Sequence, residues 1–324
     1  MKELATPQMS VILVTPDHYA TISETITYLR KQSAVNQLEL VIVASSAEVL
    51  QQHKSELKNF RNVVVVEVGD IQSIARANAA GIRQATAPVV VLAEDHSFPD
   101  PSWAEALIKA HRQSWAAVGP VIKNANPATA VSWADFLIGY GPWLDPTPEG
   151  PVEFLPGHNS SYKRARLLEY GAELEAMMEA ETVLHWDLRK KGHQLYLEPA
   201  AKTAHVNFSL FSSWVKAQYH CGRVFAGTRI KTMSVLQRLL YIGGAPLIPF
   251  VRLWRILKEM RRPGRPQITL FRVLPVLFLG LTLDGLGQMI GYALGIGSSK
   301  VRLTNFEFHR RQHLSKRDGQ TVAG

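Results

Sequence analysis

Pro88-Val89-Val90-Val91-Leu92-Ala93-Glu94-Asp95-His96 is the stretch on which the fold turns. Its opening residues are a β-branched, apolar run of strand length without polar alternation, so residues 88–92 read as a strand buried on both faces. Two carboxylates and an imidazole follow at once, at the carboxyl end of the strand, where parallel sheets present ligand-facing groups. Glu94, Asp95 and His96 are suited to hold a divalent cation against a diphosphate, because Mg2+ and Mn2+ take oxygen donors and tolerate imidazole. The same tripeptide also reads as an acidic loop ahead of a helix that begins at Pro99-Asp100-Pro101-Ser102.

Working back toward the N-terminus, apolar runs at 9–14, 38–44 and 62–68 read as three further strands. Between them, 21–31 has helical spacing, with Ile22, Ile26 and Leu29 on one face. A second helix is expected between 44 and 62, and a third over 71–85. Strands alternating with helices at this spacing predict βαβ units around a largely parallel, buried sheet. Working forward, 103–111 predicts a helix. Residues 139–158 hold nine glycines and prolines, among them Gly139, Pro142, Gly150 and Pro156, and read as a long functional loop. A helix broken near Gly171 is expected over 167–191, then a short strand over 194–197.

The chain has 324 residues, 46% of them hydrophobic and 19% charged, which excludes a disordered chain and allows one large domain with an appendage. Cys221 is the only cysteine, so no internal disulfide forms and a reducing, cytoplasmic setting is expected. Residues 1–8 carry no apolar run of the kind a secretory leader needs and are expected to be a flexible arm. The net charge of +9 calls for an anionic partner. Arg252, Arg255, Lys258, Arg261, Arg262 and Arg265 are interleaved with Leu253, Trp254, Ile256 and Leu257, a pattern that favours a membrane surface over nucleic acid. Residues 271–296 are apolar over a bilayer-spanning length. Basic residues flank them on both sides, so an interfacial or re-entrant hairpin is expected, with its bend at Asp284-Gly285. A hydrophobic helical lid packed on protein is the alternative.

Several segments, in order along the chain, bear a resemblance to the family 2 glycosyltransferases. Arg76-Ala77-Asn78-Ala79-Ala80-Gly81-Ile82 looks like the helix before the metal strand of that family. Glu94-Asp95-His96 takes the place of its Asp-x-Asp motif. Pro156-Gly157-His158-Asn159-Ser160-Ser161 is similar to its Gly-x-Asn-x-Ser acceptor loop. Glu181, followed by Asp187-Leu188-Arg189-Lys190-Lys191-Gly192, falls where the family's base aspartate and its helix lie, and Glu198-Pro199-Ala200 leads to His205 as in its closing strand. Asp284-Gly285-Leu286-Gly287 through Tyr292 resembles the tails of its membrane-linked members.

The resemblance implies an α/β fold of the GT-A (nucleotide-diphospho-sugar transferase) type: a central, mostly parallel mixed sheet over 9–230 and a basic, hydrophobic helical region over 231–324. It further implies a membrane-associated, inverting glycosyltransferase facing the cytoplasm, with a nucleotide-sugar donor, a glycan or lipid-linked acceptor and no nucleic acid. Mn2+ or Mg2+ would sit on Glu94, His96 and His205, with Glu181 as general base. Gly157, His158 and Asn159 would meet the acceptor, and Pro16, Arg76, Asn78, Asp95 and Arg223 the donor. The departures are the Glu-x-His metal motif and a second strand that ends Ala44-Ser45-Ser46 without the family's carboxylates. An inactive GT-A-like nucleotide-binding or scaffold protein of a glycan assembly system is the rival reading. A nucleotidyltransferase would carry glycine in the turn at Thr15-Pro16-Asp17-His18, which has none.

Overall fold

The computed structural model describes residues 6–230, 233–266 and 270–322. In chain order come β1 (Met9–Thr15), α1 (Tyr19–Arg30), β2 (Leu38–Ala44), β3 (Asn62–Glu67), α2 (Ile74–Gln84) and β4 (Val89–Ala93). The four strands lie in the order β3-β2-β1-β4, all parallel. β1 and β2 are buried along their whole length, as their near-continuous apolar runs require, with Ser10, Thr15 and Glu39 the polar exceptions. The helix expected between β2 and β3 is a 3-10 run, Ala47–Leu57, started by Ser46, whose Oγ accepts from the amide of Glu48 at 3.2 Å. A serine at that strand end is thus a helix cap.

The chain continues through β5 (Ser97–Pro99), α3 (Trp103–Ala110), β6 (Ala117–Asn124), α4 (Ala130–Tyr140), β7 (Gly150–Val152) and β8 (Ser161–Lys163). Next are α5 (Arg164–Leu168), α6 (Leu174–Met178), α7 (Glu181–Lys190) and β9 (Leu195–His205). The sheet extends from β4 as β8-β6-β9-β5, with β7 paired to β9. β8 is antiparallel to both β4 and β6, so the sheet is mixed, as a GT-A fold requires. The strand expected over 194–197 runs on to His205, because Leu195, Leu197, Ala201, Thr203 and His205 bury the same face of it.

Two compact units are formed, Met1–Ile122 with Thr147–Ala204, and Lys123–Pro146 with His205–Gly324. In the first, Glu39 is fully buried at the amino end of β2. It accepts hydrogen bonds from Ser10 Oγ (2.5 Å), Asn62 Nδ2 (2.9 Å) and both the amide (2.8 Å) and hydroxyl (2.7 Å) of Thr86. Burial alone would raise its pKa, but these donors outweigh it and hold the carboxyl below its usual range. Two buried imidazoles of this unit, His111 and His185, are pushed down to about 3 by burial. Their folded pKa lies below the unfolded value, so between the two the unfolded chain takes up protons that the folded unit refuses. Stability is therefore complete above the ordinary histidine pKa and falls on acidification, by about 1.4 kcal/mol per pH unit for each imidazole. Urea titrations at pH 6.5 and pH 4.5 should show this loss, and His111→Gln should flatten the dependence by about one proton.

The second unit is helical, with α8 (Phe211–Arg229), α9 (Val235–Gly244), α10 (Ile248–Met260), α11 (Leu270–Leu294), α12 (Ser299–Phe308) and α13 (Lys316–Val322) joining α4. α11 runs unbroken through Asp284-Gly285, so the bend expected there is absent. Two features account for the difference. Asp284 is buried and paired, its Oδ2 accepting from Arg252 Nη1 at 2.6 Å and from Gln288 Nε2 at 2.8 Å, while Arg252 Nη2 donates to the Ile138 carbonyl at 2.9 Å. The glycines are sites of backbone contact: a Cβ on Gly287 would overlap the Tyr219 carbonyl of α8, and one on Gly222 the Asp284 carbonyl. That close approach offsets the cost of helical glycine. Gly287→Val is expected to lower the helical melting midpoint by about 5 °C or more, since a backbone carbonyl cannot turn aside. An unchanged circular-dichroism melt would refute the close crossing.

Val235–Met260 (26 residues) and Leu270–Leu294 (25 residues) are long and apolar enough, by length and composition, to cross a membrane. The most apolar window of the first is only 17% buried and that of the second 44%. Leu236, Leu240, Leu247, Phe250 and Trp254 are exposed on the first.

Candidate active site

Glu94 leaves the end of β4 buried, and its two carboxylate oxygens face different groups. Oε2 accepts from Ser97 Oγ at 2.8 Å and from Asn159 Nδ2 at 2.9 Å. Oε1 lies 3.5 Å from His96 Nε2 and 3.8 Å from His158 Nδ1. Its backbone carbonyl accepts from Thr25 Oγ1 of α1 at 3.1 Å. Asp95 turns back onto His96, Oδ1 to Nδ1 at 2.5 Å. A carboxylate on Nδ1 keeps the proton there and leaves Nε2 its lone pair.

The loop between β7 and β8 brings the next group. Asn159 has φ +62°, the left-handed region that asparagine tolerates better than most side chains. Its amide donates to the Leu92 carbonyl at 2.7 Å, which pins the loop to β4. Glu181 is the first residue of α7, where the helix dipole favours a carboxylate. It lies against Gly157, where a Cβ would be 2.9 Å from Glu181 Oε2. His158 Nε2 is 3.6 Å from Glu181 Oε1. One imidazole therefore stands between two carboxylates, Glu94 and Glu181, that are 87 positions apart in sequence.

His205 is the last residue of β9, and the strand's continuity from Leu195 fixes its place at the end of the sheet. Its Nδ1 bonds Asn207 Oδ1 at 3.0 Å, and Asn207 Nδ2 donates to Asn124 Oδ1 at 3.0 Å, so the Asn207 oxygen is the acceptor and His205 carries its proton on Nδ1. Asn126 grips the Asn207 backbone on both sides, accepting from its amide at 2.8 Å and donating to its carbonyl at 2.9 Å. Glu94 and His96 are buried in the first unit, and His205 is buried where the chain enters the second. One carboxylate and two imidazoles are a donor set that fits a first-row divalent cation.

The other residues singled out from sequence are placed as follows. Pro16 is half-buried in the turn after β1, whose Asp17 Oδ1 accepts from the His18 amide at 2.7 Å and Thr21 Oγ1 at 2.9 Å. Arg76 is exposed in the first turn of α2, and Asn78 is buried on the same helix. Arg223 belongs to the second unit, where its Nε donates to the Gly295 carbonyl at 3.0 Å. Ser97, Asn124, Asn126 and Asn207 carry no motif. Only the spacing of Asn207, two residues beyond a strand-ending histidine, could have marked it.

The sequence pattern of glycosyl transferase family 2 matches residues 10–171, half of the chain. No curated protein matches. Among solved structures, the chain is similar to the mannosyltransferase PcManGT from Pyrobaculum calidifontis in complex with GDP-Man and Mn2+, at 15% identity and TM-score 0.48 over 98% of this chain and 84% of that one. It is similar also to GalNAc-T7 with UDP, GalNAc and Mn2+, at 13% identity and TM-score 0.47, over 61% of this chain and 43% of that one, so it spans under half of that protein's length. S. aureus TarS 1-349 gives 13% identity and TM-score 0.44, over 88% and 91%. The family match begins in β1, takes in the Glu94-Asp95-His96 turn and the Gly157-His158-Asn159 loop, and places the chain in glycosyl transferase family 2, among the glycosyltransferases.

Proposed function

We propose that the chain transfers a sugar, with metal assistance and inversion, from a nucleotide-sugar to a lipid-linked or surface-glycan acceptor at the cytoplasmic face of a membrane. The observation that carries this reading is the continuous line of contacts Asp95–His96–Glu94–His158–Glu181, which supports pairing the carboxylate we assign to the cation with the one we assign as base. Glu94, His96 and His205 would hold the cation. A donor set with two imidazoles favours Mn2+ over Mg2+, which prefers all-oxygen ligands. When bound, the cation supplies Lewis acidity to the leaving diphosphate. Glu181 takes the proton of the acceptor hydroxyl as that oxygen bonds the anomeric carbon and the bond to the diphosphate breaks. The proton ends on Glu181 and the electron pair on the nucleoside diphosphate, and one displacement inverts the centre. Gly157, His158 and Asn159 border the acceptor. Pro16, Arg76, Asn78 and Asp95 are assigned to the donor from the family resemblance. The exposed apolar residues of α9 and α10, followed by Arg255, Lys258, Arg261 and Arg262, support membrane attachment.

A thermal-shift screen of nucleotide-sugars with Mn2+ or Mg2+, followed by product analysis, tests the reading. One donor should stabilise the protein in a metal-dependent way, by about 2.7 kcal/mol at a hundredfold excess over Kd. Absence of metal-dependent binding by every donor would leave the scaffold reading in its place, and a retained anomeric configuration would remove the single displacement. Flotation should carry the protein with phosphatidylserine vesicles and less with neutral ones.

A further inference from the structure

His185 is fully buried on α7, one turn after Glu181 and so on the same side of the helix. Its ring is engaged at both nitrogens. The amide of Leu155 donates to Nδ1 at 3.4 Å, and Nε2 meets the hydroxyl of Tyr162 at 2.8 Å. An amide can only donate, so Nδ1 carries the lone pair and the ring proton sits on Nε2, directed at Tyr162 Oη. Tyr162 is itself fully buried, and its ring lies nearly parallel to the imidazole, at 16°.

Leu155 and Tyr162 are the two ends of the loop that carries Gly157, His158 and Asn159. From the β4 side the loop is pinned by Asn159 amide to Leu92 carbonyl (2.7 Å) and Leu92 amide to Ser160 carbonyl (3.3 Å). Ser160 Oγ closes it internally on the Pro156 carbonyl at 2.6 Å. On the α7 side, the imidazole takes hold of both ends. We infer that His185 is a positioning residue: by tying both ends of the 155–162 loop to the helix that bears Glu181, it sets the separation of the Glu181 carboxylate from Gly157 and His158. This rests on the proposed transfer reaction for its catalytic consequence, though not for its structural one. Burial, which pushes His185 down to about 3, keeps the ring neutral and its two bonds intact over the working pH range.

His185→Leu removes both bonds at similar volume. It should accelerate amide hydrogen exchange across residues 155–162 and lower kcat about 100-fold, the cost of an ångström of misplacement, with Mn2+-dependent nucleotide affinity within twofold of wild type. His185→Gln offers an acceptor and a donor on one side chain and should recover most of kcat. Tyr162→Phe, which removes one of the two bonds, should lie between. Unchanged kcat in His185→Leu, or in Tyr162→Phe where the leucine variant does not fold, would overturn the inference, as would nucleotide affinity falling in step with kcat. A wild type that transfers no sugar would defeat the proposed function alone. Hydrogen exchange would then decide, and unaltered protection of the loop in His185→Leu or Tyr162→Phe would overturn the tie.

Discussion

Replacing Glu181 with glutamine is expected to lower kcat about a thousandfold while the affinity for nucleotide and Mn2+ stays near wild type, which calorimetry on the folded variant would check. The size of the effect is that of a lost general base. The substitution isolates it, because glutamine has the same shape and keeps contact with Gly157. What it loses is the capacity to receive a proton. A drop confined to KM, or none, would remove Glu181 from the chemistry and leave it as a helix-start carboxylate favoured by the dipole of α7.

Glu94→Ala should abolish both Mn2+ binding and transfer. The carboxylate is the one anionic member of the proposed donor set, the other two being imidazoles, and its loss should weaken Mn2+ by about 100-fold or more. It would also remove the acceptor that Ser97 Oγ and Asn159 Nδ2 share, so the alanine variant alone could fail through a loosened loop. Glu94→Gln separates the two causes. Its side-chain oxygen can still accept from Ser97 and Asn159, but the amide presents no charge to a cation. Titration of Mn2+ followed by paramagnetic resonance should find Glu94→Gln as defective in binding as Glu94→Ala but with wild-type thermal stability. Tight Mn2+ binding by either variant would place the cation elsewhere.

How far the sequence reaches can be judged from particular elements. β1, β2 and β4 declare themselves because a strand buried on both faces reads as a near-continuous apolar run. β6 does not, since Gly119-Pro120 sits inside it. That pair reads as a turn, yet the glycine is there because a Cβ would strike Leu155 Cδ2 at 2.7 Å. α8 has no leucine stripe, and its buried side includes Ala217, Gly222, Ala226 and Gly227 beside Trp214, a face cut for close helix approach rather than for ordinary core packing. At the site, Glu94-Asp95-His96 and Gly157-His158-Asn159 are visible as local clusters. Their joining through His158 is not, and neither is the support from Ser97, His185 and Asn207, because each depends on a partner brought in by the fold. The expected bend at Asp284-Gly285 shows the same limit from the other side. A charged residue beside glycine reads as a break until Arg252 and α8 are seen to occupy it.

Glu39, Ser10, Asn62 and Thr86 fasten the amino ends of β1, β2 and β3 and the approach to β4, whereas Glu94, Asp95 and His96 follow the opposite, carboxyl end of β4. Anchorage and reactivity are thus separated by the length of a strand. A separation of that kind makes the turns at 16–18 and 45–46 exchangeable, so a chain redesigned to accept another nucleotide could be remodelled there and still inherit an undisturbed foundation.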